Sequence, residues 1–201
     1  MLDPHRCKFC GKSLPADLAP GPCGGCLRKP PPQAQTVSLY GYDGPVREAI
    51  LNWKLQGRDA GLLWLLGAAE KRLVQIFRPE DLLLPVPMPL NRMRKTGQHH
   101  AADLCRHIAG ITGSRVEWRL LKRTGEQPRQ SSLAGSKRRR NLGRAFSLNK
   151  NAWQNKEIRG RIWVIDDILT TGTTVRQACK ALRPLKQPIH AFTLARTKRE
   201  G

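Results

Sequence analysis

The segment of residues 162–175 constrains the fold more than any other part of the chain. It opens with the apolar run Ile-Trp-Val-Ile, passes through two acids and a threonine-rich loop, and ends in apolar residues at helical spacing. This order predicts a buried strand, a loop and then a helix over 174–182. In open α/β sheets, ligands bind at the carboxyl ends of strands, where helix N-termini present free N–H groups. The segment therefore predicts an α/β fold with an anion site at that edge.

The side chains of this loop suit a sugar phosphate. Gly172 lets the backbone approach a ligand closely, and the threonine hydroxyls add hydrogen-bond donors for a phosphate. The adjacent carboxylates of Asp166 and Asp167 repel each other unless ribose hydroxyls or a bridged Mg²⁺ ion meets them. A purely structural alternative has Asp167 capping the next turn, but that accounts for one acid only. The candidate phosphate-binding residues are Thr170, Thr171, Gly172, Thr173 and Thr174.

The rest of the chain alternates predicted helices and strands. Apolar periodicity predicts helices over 45–55, over 61–77 and from about residue 98, and strands over 82–87, 115–121, 161–165 and 189–195. Strands that alternate with helices are typical of a parallel sheet with helices on both faces. We expect this α/β architecture for residues 34–201.

Four of the six cysteines form a metal-site pattern. Their spacing is C-x2-C-x12-C-x2-C, in which each close pair makes a tight turn whose sulfurs point the same way. Two disulfides would need an oxidising compartment, and a redox pair is a further alternative. Zinc is favoured, and four protein ligands leave no open position, so the site would be structural. The candidate ligands are Cys7, Cys10, Cys23 and Cys26.

A proline-rich stretch over residues 29–33 follows the cysteines. Proline fixes φ and cannot donate a hydrogen bond, so this stretch predicts a stiff linker. We expect a zinc module over residues 1–33 and the main domain over 34–201. The remaining two cysteines, Cys105 and Cys179, stand singly within apolar-periodic segments. Cys105 is interpreted as a core residue.

The chain is strongly basic. Thirty-six Lys and Arg against fifteen Asp and Glu give a net charge of +21, which attracts polyanions such as nucleic acid or a sugar pyrophosphate. Residues 119–144 hold nine of these cations and one acid. No apolar run is long enough to span a membrane, and the first residues lack a secretory signal. We expect a soluble, cytoplasmic protein without membrane insertion.

The motif V-I-D-D-I-L-T-T-G-T-T at residues 164–174 resembles the phosphoribosyl-pyrophosphate signature of type I phosphoribosyltransferases. With the four cysteines, the resemblance narrows to the ComF/GntX family, which is associated with DNA uptake in natural transformation and with use of DNA as a nutrient. Further agreement lies within residues 42–57, 86–98, 123–130 and 139–146. The resemblance covers nearly the whole chain and implies a type I phosphoribosyltransferase-like domain.

The resemblance also implies roles for individual residues. The threonine loop would hold the 5-phosphate, and Asp166 and Asp167 the ribose 2- and 3-hydroxyls. Arg92, Arg94 and Lys54 are candidates for binding pyrophosphate together with Mg²⁺. The basic segment 119–144 corresponds to a loop that closes over substrate. Catalysis would be displacement at the ribose C1, although the sequence identifies no acceptor.

A second class of function stays open at this point. A non-catalytic adaptor of the DNA-uptake machinery would use the basic segment and the zinc module to bind single-stranded DNA. Such binding falls steeply with salt, since each contacted phosphate releases counterions. The few aromatic side chains provide a sparse stacking platform for bases.

Overall fold

A computed structural model describes residues 5–19, 21–124, 145–153 and 158–198. Within these ranges five strands form one parallel sheet: β1 Gln35–Gly41, β2 Leu82–Pro85, β3 Arg115–Val116, β6 Ile162–Leu169 and β7 Ile189–Arg196. A separate antiparallel pair consists of β4 Leu121–Arg123 and β5 Phe146–Leu148. The α/β architecture expected from the sequence is confirmed.

The strand order of the sheet creates a crevice between β2 and β6. The order is β1-β7-β6-β2-β3, so the chain runs outward in one direction from β2 to β3 and in the other from β6 to β7. Ligands of open α/β sheets bind outside the carboxyl ends of the strands at such a switch point. The sheet topology therefore marks the edge at which β2 and β6 end.

Helices cover both faces of the sheet, as predicted. One face is covered by α2 Gly44–Gln56, α3 Ala60–Ala68, α4 Glu70–Ile76 and α6 His100–Thr112, which bury a core with alternate sheet residues such as Trp163 and Ile165. The other face buries Ile162 and Val164 against α8 Thr173–Ala181. Strands buried on both faces read as continuous apolar runs, which is why β6 was recognisable in the sequence. Shorter helices are α1 Gly24–Arg28, α5 Leu90–Thr96 and α7 Lys150–Trp153, and a 3-10 turn spans Arg183–Leu185.

Several elements differ from the sequence-based expectation, and α5 and β5 were not predicted at all. The single helix expected over 61–77 is two helices, because Ala69 leaves the helical region at φ −104° and ψ 6°. The strand expected over 115–121 is divided between β3 and β4, with a turn closed by the Arg119 N–H donating to the Glu117 carboxylate at 2.9 Å. Strand β1 was not predicted, since its polar residues interrupt the apolar pattern.

The cysteine segment is hydrogen-bonded to the edge of the sheet. The Thr36 N–H donates to the Lys8 carbonyl at 2.9 Å, and the Thr36 hydroxyl donates to the Phe9 carbonyl at 2.6 Å. The Arg196 guanidinium, at the end of β7, donates to the Cys10 carbonyl. These bonds hold the first pair of cysteines against the start of β1, within reach of the Arg196 side chain from β7. No helix in the described ranges has the length and apolar character needed to cross a bilayer.

Candidate functional site

The two acids lie where β6 extends beyond its partner β2. Pairing between these strands ends at Pro85 and Ile165, whereas β6 continues against β7 as far as Leu169. Asp166 and Asp167 are therefore part of a strand rather than of the following loop. Their carboxylates border the crevice at the switch point, which is the position predicted for ribose-binding acids.

The two carboxylates have different partners. The Lys54 ammonium, from α2, donates to Asp167 Oδ2 at 2.5 Å, and the Ile168 N–H donates to Asp167 Oδ1 at 2.6 Å. Asp166 Oδ1 accepts a bond from the Asp167 N–H at 3.0 Å. Among the described residues, no cation forms an ion pair with Asp166.

Burial and the neighbouring Asp167 charge together raise the pKa of Asp166 to about 7. The Asp167 N–H and the Lys54 charge lower this pKa, but they offset only part of the increase. An acid held in this way accepts or donates hydrogen bonds near neutral pH, depending on what it meets. The pair carries between one and two negative charges at pH 7, and a hydroxyl-rich or cationic ligand would satisfy it.

Asp81 shows how this chain treats a buried acid that has a structural role. It is fully buried at the opposite end of the strands from Asp166. Its Oδ2 accepts from the Arg161 guanidinium at 2.7 Å and from the Trp163 indole at 3.1 Å. The Arg78 and Arg161 backbone N–H groups donate to it as well. Every side of that carboxylate is met by the protein. Within the described ranges Asp166 has no such set of donors, which distinguishes it from a structural acid.

The acid pair borders a small pocket of about 280 Å³, which we call the acid pocket. Its floor carries the two carboxylates, and its walls bring together an ammonium, a guanidinium, an imidazole and a hydroxyl, from Lys54, Arg123, His99 and Thr174. Residues 86–89, which follow β2, close one side. A pocket lined by both acids and cations suits a ligand that carries both hydroxyls and anionic groups.

The threonine loop, residues 170–174, joins β6 to α8. Gly172 is the N-cap of α8 and has a φ of 72°, a left-handed conformation that glycine adopts without strain. The Thr171 and Thr173 hydroxyls are 2.9 Å apart, and the Arg176 guanidinium donates to the Thr171 carbonyl at 2.8 Å. The loop is thus ordered by its own bonds, while its threonine side chains stay exposed.

The loop has two sides. Thr174 lines the acid pocket, whereas Thr170, Thr171 and Gly172 line a second cleft that the acids do not border. The sequence predicted one anion site for all five residues. The structure divides four of them between two neighbouring cavities, and Thr173 is not among the described residues that line either one.

The predicted pyrophosphate-binding cations are placed differently from one another. Lys54 reaches the acid pocket and pairs with Asp167. Arg94 lies exposed on α5 and is not among the described residues that line the pocket. Arg92 is on the same helix, but its side chain is not among those that the structure describes. Most of the basic segment 119–144 also lies outside the described residues, from 125 onward.

Two pocket residues were not among the site residues predicted from the sequence. Arg123, at the end of β4, lines the acid pocket and stacks over the Phe146 ring at 5.5 Å from its centroid. His99 caps α6: its Nδ1 accepts from the Ala102 N–H at 3.1 Å, and burial lowers its pKa. A basic residue within a charge-rich segment and a histidine in a pair carry no distinctive spacing. Only the fold brings them to the crevice.

The four cysteines converge as predicted. Their sulfur atoms all lie within 4.8 Å of one another, and Cys10 Sγ is 3.7 Å from Cys23 Sγ. A tetrahedral site with Zn–S bonds of about 2.3 Å requires sulfurs about 3.8 Å apart. All four are free thiols rather than disulfides. The cluster fits a structural zinc site.

The backbone around Cys7 favours the thiolate form of this residue. Although burial raises the pKa of Cys7, backbone N–H groups of Cys23, Cys10 and Phe9 outweigh it and lower the pKa to about 7. The Cys23 N–H lies 3.2 Å from Cys7 Sγ. Zinc binds the deprotonated form, so these bonds favour metal binding. Cys105, by contrast, is fully buried in the core, as the sequence indicated.

Comparison with known proteins gives relatives of similar length. The chain is 30% identical to DNA utilization protein YhgH of Escherichia coli K12 over 202 residues, which cover 97% of this chain and 86% of that protein. It is 30% identical to Competence protein F of Haemophilus influenzae over 199 residues, covering 94% of this chain and 84% of that protein. The chain belongs to the ComF family. No family model matches it.

Membership of the ComF family agrees with two features described above. The relatives match nearly the whole of this ComF protein, so both the cysteine segment and the sheet domain fall within the matched length. A further relative, YhgH of Salmonella typhimurium, is 29% identical over 198 residues, covering 95% of this chain and 84% of that protein.

Proposed function

We propose that this ComF protein binds phosphoribosyl pyrophosphate, or a related phosphoribosyl compound, in the acid pocket and acts in DNA uptake or DNA utilisation. The observation that carries the proposal is the half-buried acid pair at the switch point. Asp166 has no cationic partner among the described residues, although Asp81 in the same sheet is fully satisfied. A pentose with two neighbouring hydroxyls supplies the missing donors and acceptors.

The ligand would contact both the acids and the cations of the acid pocket. The hydroxyls at ribose C2 and C3 would bond to Asp166 and Asp167. The 5-phosphate would meet the N-terminus of α8 and the Thr174 hydroxyl, since helix N-termini bind anions through free N–H groups. The pyrophosphate would lie near Lys54 and Arg123, which line the same pocket.

Mg²⁺ would enter with the pyrophosphate and reduce its charge repulsion. The acid pair offers oxygen ligands of the kind that Mg²⁺ prefers. Arg94, on α5, remains a predicted pyrophosphate contact, as does Arg92. The zinc module would be structural, and the expected cytoplasmic location agrees with free thiols in all six cysteines.

Transfer chemistry follows if an acceptor nucleophile is present. The acceptor attacks the ribose C1, the bond from C1 to the pyrophosphate oxygen breaks, and pyrophosphate leaves with both electrons of that bond. The sugar gains oxocarbenium character in the transition state. The protein's contribution would be to orient the sugar through the acid pair and to stabilise the departing charge with Lys54 and Arg123.

The DNA role comes from the relatives. They are named for DNA utilization and for competence, and they match this chain over most of their length. A net charge of +21 is consistent with a protein that works near polyanions. We therefore place the phosphoribosyl ligand in the context of DNA handling.

The test is thermal denaturation with and without phosphoribosyl pyrophosphate and Mg²⁺. A ligand at a hundred times its Kd stabilises the native state by about 2.7 kcal/mol. For a chain of this size that is a rise in Tm of roughly 5–10 °C. The Asp166→Asn/Asp167→Asn variant should show no ligand-dependent rise.

The control variant is Asp103→Asn, which removes an acid on α6 that is paired with Arg106 at the surface. It should keep the full ligand-dependent rise. No rise in the wild-type protein, or an equal rise in the double variant, would refute binding at the acid pair.

A further inference from the structure

The second cleft of the threonine loop is larger and differently lined. It has a volume of about 1000 Å³ and lies between the cysteine segment and α8. One wall contains cysteines of the metal cluster and residues 29–33, and the other contains Thr170, Thr171, Gly172 and the exposed side of α8. We call it the basic cleft.

Cations stand on both walls of the basic cleft. The cationic residues are Lys12, Lys29, Arg176, Lys180, Arg183 and Arg196. Arg176, Lys180 and Arg183 recur at three- and four-residue steps, which places them along one side of α8 and its following turn. No acidic residue is among the described residues that line the cleft.

Two of these cations have structural bonds. Arg196 is buried and donates to the Cys10 carbonyl, and Arg176 fixes the Thr171 carbonyl. Lys12, Lys29, Lys180 and Arg183 are exposed. Within the part of the chain that the structure describes, none of these four has an acidic partner. They remain available to a ligand.

The metal cluster does not account for this charge. Zinc with four thiolates carries two negative charges, whereas the lining carries six cations, so positive charge exceeds negative by four. Such an excess around a concave surface raises the local concentration of anions. The cleft is therefore arranged for a ligand with several negative charges.

The uncharged lining indicates how that ligand is recognised. No aromatic side chain is found among the described lining residues, so bases would have nothing to stack on. Threonine hydroxyls and cations bind phosphates, and phosphate contacts carry no sequence information. The volume is at the upper end of that of small-molecule pockets, which leaves room for a short single strand and not for a duplex.

We propose that the basic cleft binds the phosphate backbone of a single-stranded nucleic acid, independently of sequence, with Lys180 and Arg183 as phosphate contacts. The proposal deepens the DNA role proposed above, but it uses residues outside the acid pocket. The strand would run along α8 between the sheet domain and the cysteine segment, and its phosphates would reach the outer side of the threonine loop.

The test measures binding of a fluorescein-labelled oligothymidylate to the full chain by anisotropy, at salt concentrations between about 50 and 200 mM. On a single strand, each phosphate contact contributes about 0.7 to the slope of log affinity against log salt. The Lys180→Ala/Arg183→Ala variant should therefore have a slope smaller by about 1.4. An oligoadenylate should bind with the same slope as the oligothymidylate.

The matched control is Lys71→Ala/Arg72→Ala, which removes two exposed cations from α4, on the opposite face of the sheet. Its slope should equal that of the wild type. Equal losses in both variants, or no loss in the cleft variant, would overturn the proposal, because net charge or another segment would then account for binding.

Three further arms separate the remaining outcomes. Inorganic polyphosphate shares the recognised chemistry and should displace the oligonucleotide from wild-type protein. If the cleft variant lost affinity for polyphosphate but kept its affinity for the oligonucleotide, the assignment of a nucleic acid as the ligand would be overturned. The binding of duplex DNA is measured in the same way. If it depends on Lys180 and Arg183 more strongly than the binding of the single strand does, the proposal of a single-stranded ligand would be overturned. The thermal shift with phosphoribosyl pyrophosphate tests the acid pocket separately, since Asp166 and Asp167 do not line the basic cleft.

Discussion

Replacing Asp166 with asparagine should stabilise the ligand-free protein at neutral and alkaline pH. Burial and the charge of Asp167 raise the pKa of Asp166 from 3.8 to about 7. The Asp166 carboxyl group therefore lowers the free energy of unfolding at every pH at which it is ionised in the unfolded chain. This holds whether the folded chain still keeps the proton or has lost it as well. Asparagine keeps an oxygen that can accept the Asp167 N–H bond but carries no charge.

The sign and size follow from proton linkage. Below about pH 4 the acid is protonated in both states and makes no difference. As pH rises towards 7, the unfolded state releases the proton first, so the free energy of unfolding falls by up to about 1.4 kcal/mol per pH unit. Above pH 7 the loss is constant. The shift of the pKa from 3.8 to about 7 limits the total to about 4 kcal/mol.

Urea denaturation at several pH values between 4 and 8 measures this difference. The unfolding free energy of Asp166→Asn minus that of the wild type should grow over this range and level off above pH 7. The same variant should lose the stabilisation by phosphoribosyl pyrophosphate, as expected of a site that gives up stability for function. Asp103→Asn, whose carboxylate is paired at the surface, should change stability by about 0.5 kcal/mol or less. A variant that is less stable than wild type at pH 8, or a difference that does not change with pH, would refute the reasoning.

Three other changes test separate parts of the structure. Lys54→Met removes the ammonium from Asp167 and should destabilise the protein by about 1–3 kcal/mol at pH 8, measured by urea denaturation. Adding Asp167→Asn should recover part of this loss, whereas equal losses in the single and double variants would contradict a direct ion pair. Gly160→Ala should cost about 3 kcal/mol or more, because the new Cβ would meet a backbone carbonyl oxygen at 2.2 Å, whereas Gly67→Ala has open space and should be neutral or stabilising. Cys23→Ser should lower the zinc content measured by metal analysis and the Tm together, and a variant that keeps one zinc per chain would argue against four-cysteine ligation.

The sequence predicted those parts of the fold in which local pattern and tertiary environment agree. Strand β6 is buried on both faces, so its apolar run was readable, and the cysteine spacing alone placed four sulfurs together. Strand β1 was missed because polar residues, including the buried Thr36, interrupt its apolar residues. The helix break at Ala69 leaves no signal in the periodicity, since apolar residues continue on both sides of it.

The candidate site was predicted in its residues more than in its arrangement. The motif gave Asp166, Asp167 and the threonine loop, but not that the loop divides two cavities. Lys54 was named from the sequence, and its pairing with Asp167 spans 113 positions of the chain, a distance that no local pattern encodes. Arg123 reaches the pocket only because β4 folds beside the end of β2.

The most direct measurement of the central claim is a titration of ¹⁵N-labelled protein with ribose 5-phosphate, followed by amide chemical shifts. A pentose phosphate in the acid pocket should shift the amides of Asp167, Thr173 and Thr174 saturably, and leave those of α4 unmoved. The Asp166→Asn/Asp167→Asn variant should show no saturable shifts at these positions. Shifts that are confined to other basic surfaces, or that persist unchanged in the double variant, would contradict a sugar-phosphate site at the acid pair.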